Sequence, residues 1–376
     1  MGNYRDESRG ETRGGWTRRE FLKGASLAAV TLASGVALDR WESLAEASEG
    51  ELRKRTLGRT GLKVTVVSYG GLKTQDRRIL DAAIDRGINL IHTSPGYLRG
   101  RSIQVFGEVM KTKRDKVYLA LKAAPERGID QHLRTLNTDR VDILVPPAHS
   151  VREIRNPRWP EAFAALKRAG KIRFAGFACH KNQAAVMREA IKLGFFDVML
   201  VAYNLSNREE LNPLLEQAKK QHNMGFMVMK AMQGVDRRRP EVVAAAQKSL
   251  LANPNVDTLL IGMGTFQEVQ RNLELARQRM SRQEEELLER YLTAAGPLCS
   301  LCGACEVCPR GVAVGEIMRA HHYLERGDGD LAVALYARLP ASCTAATCDE
   351  CGLCEQACPR GLPVVETLRR THRALV

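Results

Sequence analysis

Residues 77–93 read RRILDAAIDRGINLIHT. The first eleven carry apolar side chains at helical spacing and stop at a glycine, and the next six form a short β-rich run. The alternation recurs along the chain. Apolar runs stand at 64–70 (VTVVSYG), 88–93 (INLIHT), 117–123 (VYLALKA), 141–146 (VDILVP), 172–178 (IRFAGFA), 197–203 (DVMLVAY), 225–231 (GFMVMKA) and 257–263 (DTLLIGM), separated by stretches such as EAFAALKRAGK. Eight β-rich runs alternating with helical patterns predict a parallel sheet, and eight units within 52–295 predict a (β/α)8 TIM barrel. Ahead of the first run, RKRTLGRTGLKV carries Gly58 and Gly61 at turn positions, as expected of a hairpin closing the barrel bottom. The active site of such a barrel belongs at the C-terminal ends of the strands.

The chain has 376 residues, 44% of them hydrophobic, which is enough for a sizeable core and too long for one typical domain. The formal charge is +14, carried mostly by arginine. The arginines are spread rather than bunched, and aromatics are only 5%, so the charge reads as a solvated surface and not as a nucleic-acid site. If the chain relays electrons, the same basic surface would dock an acidic redox partner.

At the N-terminus TRREFLK (17–23) precedes the apolar run Gly24 to Leu38, with a small-x-small site at Ala45-Glu46-Ala47. Paired Arg18 and Arg19 before a run too short to span a bilayer look like a twin-arginine export signal over residues 1–47. That route implies an extracytoplasmic or periplasmic protein, exported already folded, with no stable membrane span after cleavage.

Nine of the ten cysteines fall between Cys299 and Cys358. Cys299-x2-Cys302-Gly-x-Cys305-Glu-x2-Cys308-Pro-Arg-Gly recurs as Cys348-x2-Cys351-Gly-x-Cys354-Glu-x3-Cys358-Pro-Arg-Gly, each copy followed by a helix-like stretch. Three cysteines at this spacing reach three corners of a cubane, and the fourth, before proline, is placed to ligate the other cluster. The prediction is two [4Fe–4S] clusters, one on Cys299, Cys302, Cys305 and Cys358, the other on Cys348, Cys351, Cys354 and Cys308. Residues 296–376 then form a small, mainly helical, two-cluster ferredoxin-like domain. Structural zinc and a disulfide knot fit the spacing less well. Arg310 and Arg360, next to anionic clusters, are expected to favour the reduced state. Cys343 and Cys179 stand outside the repeat and read as buried thiols.

LGRTGLKVTVVSYGG, GINLIHTSPGY, AALKRAGKIRFAGFACH and LLIGMGTFQEVQRNL together resemble the aldo/keto reductase family. The export signal and the paired cysteine motifs resemble a branch of it with a ferredoxin-type tail. The resemblance implies hydride transfer between a nicotinamide and a carbonyl-type substrate, with a tyrosine as acid beside a lysine, an aspartate and a histidine. By that match Tyr97 takes the acid position and Lys122 the lysine position. His92 stands where the family has Asp, and Pro147 where it has His, with His149 two residues on as a substitute. His180 at the same mouth is a candidate to touch substrate.

The implied nicotinamide grip is altered. Ala178, Cys179 and Leu200 replace the amide-binding residues. Gly262, Met263, Gly264 and Thr265 open a helix suited to a pyrophosphate, and Asn272 matches the adenine-side Asn. The residues that clasp a 2′-phosphate are replaced by Gly262 and Glu268, leaving Lys230 as the expected nearest cation. Binding of NADP(H) or NAD(H) is therefore in doubt.

Two functions follow. One is an exported aldo/keto-reductase-like oxidoreductase coupling a barrel-mouth active site, with Tyr97, Lys122, His92 and His149, to the two clusters. The other is a degenerate barrel without catalysis, serving as an electron-transfer and binding module for a redox partner protein or electron carrier.

Overall fold

The computed structural model describes residues 51–376, and the expected export signal over 1–47 lies outside the described residues. β1 (Lys54–Thr56) and β2 (Lys63–Thr65) form an antiparallel hairpin. Eight strands follow: β3 (Val67–Gly70), β4 (Leu90–Thr93), β5 (Tyr118–Leu121), β6 (Val141–Leu144), β7 (Ile172–Cys179), β8 (Val198–Ala202), β9 (Gly225–Met229) and β10 (Thr258–Gly262). They close a parallel barrel in the order β10-β3-β4-β5-β6-β7-β8-β9, the (β/α)8 architecture expected from the periodicity. All eight apolar runs supply a barrel strand. The first is divided: Val64 and Thr65 belong to the hairpin, and the barrel strand begins at Val67.

The hairpin plugs one end. Leu57, Leu62 and Val64 pack with Leu90, Ala120, Ile143, Val198, Leu200 and Met227 inside the barrel. Gly58, at φ +46°, has no room for a side chain, because a Cβ there would lie 2.3 Å from the Asn223 carbonyl oxygen. A larger apolar layer joins the outer strand faces to the surrounding helices through Leu80, Phe106, Trp159, Phe196 and Leu273.

After the helix Arg282–Ala295 the chain enters the cysteine-rich tail. Its helices Val314–Glu325, Gly329–Tyr336 and Val364–Leu375 enclose their own apolar cluster of Val314, Ile317, Tyr336, Val364 and Leu368. Leu52–Val376 is nevertheless one compact unit. The tail docks on the loops at the C-terminal ends of the strands. Lys181 after β7 bonds Glu306 at 3.1 Å and Glu316 at 2.6 Å. Gly234 after β9 donates its N–H to His322 Nε2 at 2.9 Å, and Arg237 pairs with Asp328 at 2.8 Å. Among the described residues no helix is long and apolar enough to cross a membrane.

Candidate functional site at the barrel mouth

The site is built from strand ends. β4 and β5 run in register to their last residues, with Thr93 opposite Leu121, and the Lys122 N–H continues the ladder to the Thr93 carbonyl at 2.9 Å. This brings His92 on β4 beside Lys122 just past β5. Tyr97 follows in a tight turn. Leu98 and Arg99 behind it hold left-handed backbone at φ +51° and +53°, strain of the kind that persists where surrounding structure over-determines a functional loop.

Lys122 Nζ lies over the Tyr97 ring, 4.7 Å from its centroid. The His92 ring meets the same ring edge-on at 5.8 Å. His92 is 3% exposed and its Nε2 has no hydrogen-bond partner. Burial pushes its pKa down to about 3, with the Lys122 charge adding to the shift, so the imidazole is neutral. Burial likewise lowers Lys122. Desolvation carries Tyr97 up to about 12. The ammonium faces the ring, and the aspartate that would anchor it is replaced by a histidine that accepts no hydrogen bond from it. Tyr97 is a protonated donor at neutral pH, not a base.

β6 is extended past its end by Pro146 and Pro147. Ala178 N–H donates to the Pro146 carbonyl at 2.8 Å, and Ala148 N–H to Ala178 at 2.9 Å. The proline pair therefore holds strand-like backbone and delivers His149 to the mouth, where its ring packs on His180 with centroids 4.0 Å apart. His149 Nδ1 accepts from the His180 N–H at 3.4 Å, and His180 Nδ1 is buried without a partner. Burial lowers both imidazoles, and the nearby lysines push the same way. Cys179 is fully buried, its thiol raised to about 12 by burial and donating to the Lys181 carbonyl at 3.0 Å. It is an inert core thiol. Cys343 differs from the expectation in being only half-buried, because it sits on the short turn Ala341–Cys343 at the surface of the tail.

At strand eight the helix Phe266–Arg277 opens as expected, but two backbone donors at its opening are already taken. Glu268 folds back, and its Oε2 accepts the Gly264 N–H at 2.6 Å, while Thr265 caps the Glu268 N–H at 3.1 Å. An internal carboxylate thus stands where a pyrophosphate oxygen was anticipated. Met263 is buried, its carbonyl accepting from Tyr69 Oη at 2.9 Å. Asn272 donates its amide to the Glu268 carbonyl at 2.7 Å, within its own helix. Gly262 and Asn272 do line a cavity of about 990 Å³. The cation there is Lys73, 3.8 Å from Glu268, with Arg237 and Arg271 on the same wall. Lys230 instead belongs to the mouth, where its charged neighbours are Arg319, Glu316, Lys122 and Lys181.

Residues 72–239 match the profile of the aldo/keto reductase family. The matched residues lie within the barrel. An uncharacterized oxidoreductase of Bacillus subtilis, YqkF, is 25% identical over 291 residues, covering 62% of this chain and 94% of the relative. A putative aldo-keto reductase from Pseudomonas aeruginosa superposes with a TM-score of 0.53 at 25% identity, covering 61% of this chain and 96% of its own. An aldo-keto reductase from Klebsiella pneumoniae, solved in complex with NADPH, shares the fold at a TM-score of 0.52 and 21% identity, covering 66% and 99%.

Beside the barrel the tail arranges its thiols in two sets. Cys299, Cys302, Cys305 and Cys358 line one cavity of about 510 Å³. Cys308, Cys348, Cys351 and Cys354 line a second of about 280 Å³. The fourth cysteine of each motif has crossed to the other set. All ten cysteines are free thiols. Among the described residues no three donors converge on a single ion. One zinc, with Zn–S of about 2.3 Å, draws its thiolates to within roughly 4 Å of each other. The first cavity also touches Lys181, Arg319 and Arg360, so it abuts the barrel mouth. Arg360 donates to the Ser206 carbonyl beyond β8, whereas Arg310 pairs with Asp349 at 3.3 Å.

Sequence reasoning missed Lys181 and Arg319, whose roles come from contacts between barrel and tail. It also missed the back-bonding of Glu268. A signal for the last existed in Thr265-x2-Glu268, a capping-box pattern.

Proposed function

We propose that the chain is an exported oxidoreductase of the aldo/keto reductase type whose barrel-mouth site is served by two [4Fe–4S] clusters rather than by a tightly held nicotinamide. The observation that carries this reading is the crossed cysteine arrangement, four thiols around each of two cavities, the first of them against the mouth. The donor set fits: soft thiols, apolar shielding by Leu362 and Val364 at the first cavity and Val314 at the second, and sulfurs not joined in disulfides. Cys299, Cys302, Cys305 and Cys358 would hold one cluster, and Cys308, Cys348, Cys351 and Cys354 the other. Clusters held there supply reversible one-electron transfer.

The chain's own residues then divide the work. Tyr97 holds a proton at its hydroxyl for delivery at the mouth. Lys122 fixes the ring from above, and neutral His92 and His149 offer hydrogen-bonding nitrogens. Lys181, Arg319 and Arg360 set positive charge beside the first cavity, which favours its more reduced, more negative state. Glu268 and Leu200 argue against a nicotinamide in its usual seat. A surface of formal charge +14 suits an acidic redox partner or electron carrier. Export rests on the twin-arginine pattern.

The test is anaerobic reconstitution with iron and sulfide, counting of both, then titration with NADPH, NADH and dithionite while following visible absorbance. Iron and sulfide in both cavities, with bleaching by dithionite alone, is the expected result. Bleaching by a nicotinamide would reinstate that cofactor, and absence of iron and sulfide overturns the clusters. The occupied nucleotide grip also favours a second reading, an electron relay on a non-catalytic barrel. Tyr97→Phe separates the two, since an enzyme loses turnover and a relay keeps its electron-transfer rate.

A further inference from the structure

The two thiol cavities differ in what else lines them. Beside its four cysteines the first carries Lys181 from the loop after β7, Arg319 from the tail helix Val314–Glu325 and Arg360, against one acid, Glu306. Among the described residues no cation lines the second, whose acid is Asp349. Arg310, which the sequence sets beside that second group, is drawn onto Asp349 at 3.3 Å, and its side chain is 61% exposed. All residues of the second cavity belong to the tail, and Cys351 there is exposed. The first reaches the barrel mouth through Lys181, so it is the inner of the two.

Arg319 sets the inner cavity apart. Lys181 is committed to Glu306 at 3.1 Å and Glu316 at 2.6 Å, and Arg360 to the Ser206 carbonyl. Arg319 is 7% exposed, and one Nη holds Glu316 at 2.8 Å, but its Nε is buried without a hydrogen-bond partner. Among the described residues no other side chain lining either cavity leaves a buried nitrogen or oxygen unmet. A buried guanidinium donor is costly unless something supplies an acceptor, and the protein supplies none to this one. The sulfurs of an anionic iron–sulfur cluster are acceptors of that kind. A hydrogen bond to them stabilises the reduced, more negative state more than the oxidised one.

We propose that Arg319 donates its Nε–H to a sulfur of the cluster held by Cys299, Cys302, Cys305 and Cys358, and so makes the inner site easier to reduce than the outer one. This rests on the two-cluster reading. Arg319 then gives the pair a direction. An electron delivered at the outer site passes inward, leaving the outer cluster oxidised again and the inner one reduced, with no bond made or broken. It comes to rest against the barrel mouth. Without the Nε–H the two sites have no such bias from Arg319, and the electron spends more of its time at the exposed rim by Cys351.

The test is an anaerobic redox titration of the full, reconstituted chain with dithionite and mediators, following the electron paramagnetic resonance of the reduced clusters. Two separate one-electron steps are expected. Cys351→Ser, in the outer set, should alter the lower-potential step and leave the higher one in place. Arg319→Gln should lower the higher step by about tenfold in its equilibrium constant, which is about 59 mV for a one-electron couple, and leave the lower step unmoved. Arg319→Lys keeps the charge but not the Nε–H, and should lower the same step. Arg282→Gln, an exposed charge control on the helix Arg282–Ala295, should move neither. Should Arg319→Gln fail to fold, Arg319→Lys and Cys351→Ser decide. The proposal is overturned if the Arg319 variants titrate like the parent, if both steps move together, or if Cys351→Ser alters the higher step. Iron and sulfide counts on the same samples keep the two readings apart. Full counts with unmoved potentials overturn the role of Arg319 alone, whereas missing iron and sulfide remove the clusters themselves.

Discussion

The ammonium of Lys122 sits 4.7 Å above the centre of the Tyr97 ring, over its face. A cation there stabilises the ring through its quadrupole, by about 0.5–2 kcal/mol depending on solvation, and does little to stabilise a phenolate. Tyr97, raised to about 12, therefore stays protonated throughout the neutral range. Turnover should show no alkaline limb from this tyrosine below pH 10. Tyr97→Phe should lower kcat by two orders of magnitude or more, on the order of the 10²–10⁴ that a positioned acid contributes. An unchanged kcat in Tyr97→Phe would remove the tyrosine from the chemistry.

The buried histidines make the fold acid-sensitive. His92 and His322 are each lowered to about 3 by burial, and His322 must keep its Nε2 lone pair to accept from Gly234. A depressed histidine means that the unfolded chain takes up protons first. Stability is then full above about pH 6.5 and declines as pH falls from there toward 3. Between pH 6.5 and 5 each such group removes about 2 kcal/mol. Urea unfolding at pH 7 and pH 5 should show the drop, and His92→Gln should reduce it.

Glu268 holds the Gly264 N–H that a nucleotide phosphate would need. Glu268→Ala should free that donor and Lys73, and tighten NADP(H) binding by roughly tenfold, the worth of a charge-assisted hydrogen bond plus a released cation. Fluorescence titration with NADPH reads it directly. Equal affinity in parent and variant would mean that other residues exclude the nucleotide.

The crossed thiol sets make an asymmetric prediction for double variants. Cys302 and Cys358 line one cavity, so Cys302→Ser with Cys358→Ser should retain half of the iron. Cys302 and Cys308 line different cavities, so Cys302→Ser with Cys308→Ser should lose nearly all of it. The opposite pattern would mean that each motif is self-contained.

Gly58 carries the bottom hairpin against the barrel, with Asn223 and Gly225 backbone atoms filling the place of a side chain. Gly58→Ala combines a left-handed backbone with a steric overlap and should destabilise by about 2 kcal/mol or more. Thermal unfolding measures it.

The eight strands were legible because each is a short apolar run bounded by local signals, and burial on both faces leaves little ambiguity. The one misread boundary, at Val66, falls where hairpin and barrel strand are both apolar. His92, Tyr97 and Lys122 were found through their places at strand ends. Their electrostatics were not, since the rise of the Tyr97 pKa comes from desolvation by neighbours distant in sequence. His149 reached the mouth because the Pro146-Pro147 pair extends β6, which the prolines alone did not indicate.

By itself the sequence determined the barrel, the positions of the strand-end residues and the eight-cysteine repeat, because these depend on periodicity and spacing over a few residues. Only the tertiary structure decided that the tail docks on the mouth and that Glu268 folds back onto the Gly264 N–H. Such relations depend on desolvation and on contacts between side chains far apart in the chain, and local pattern carries no record of either.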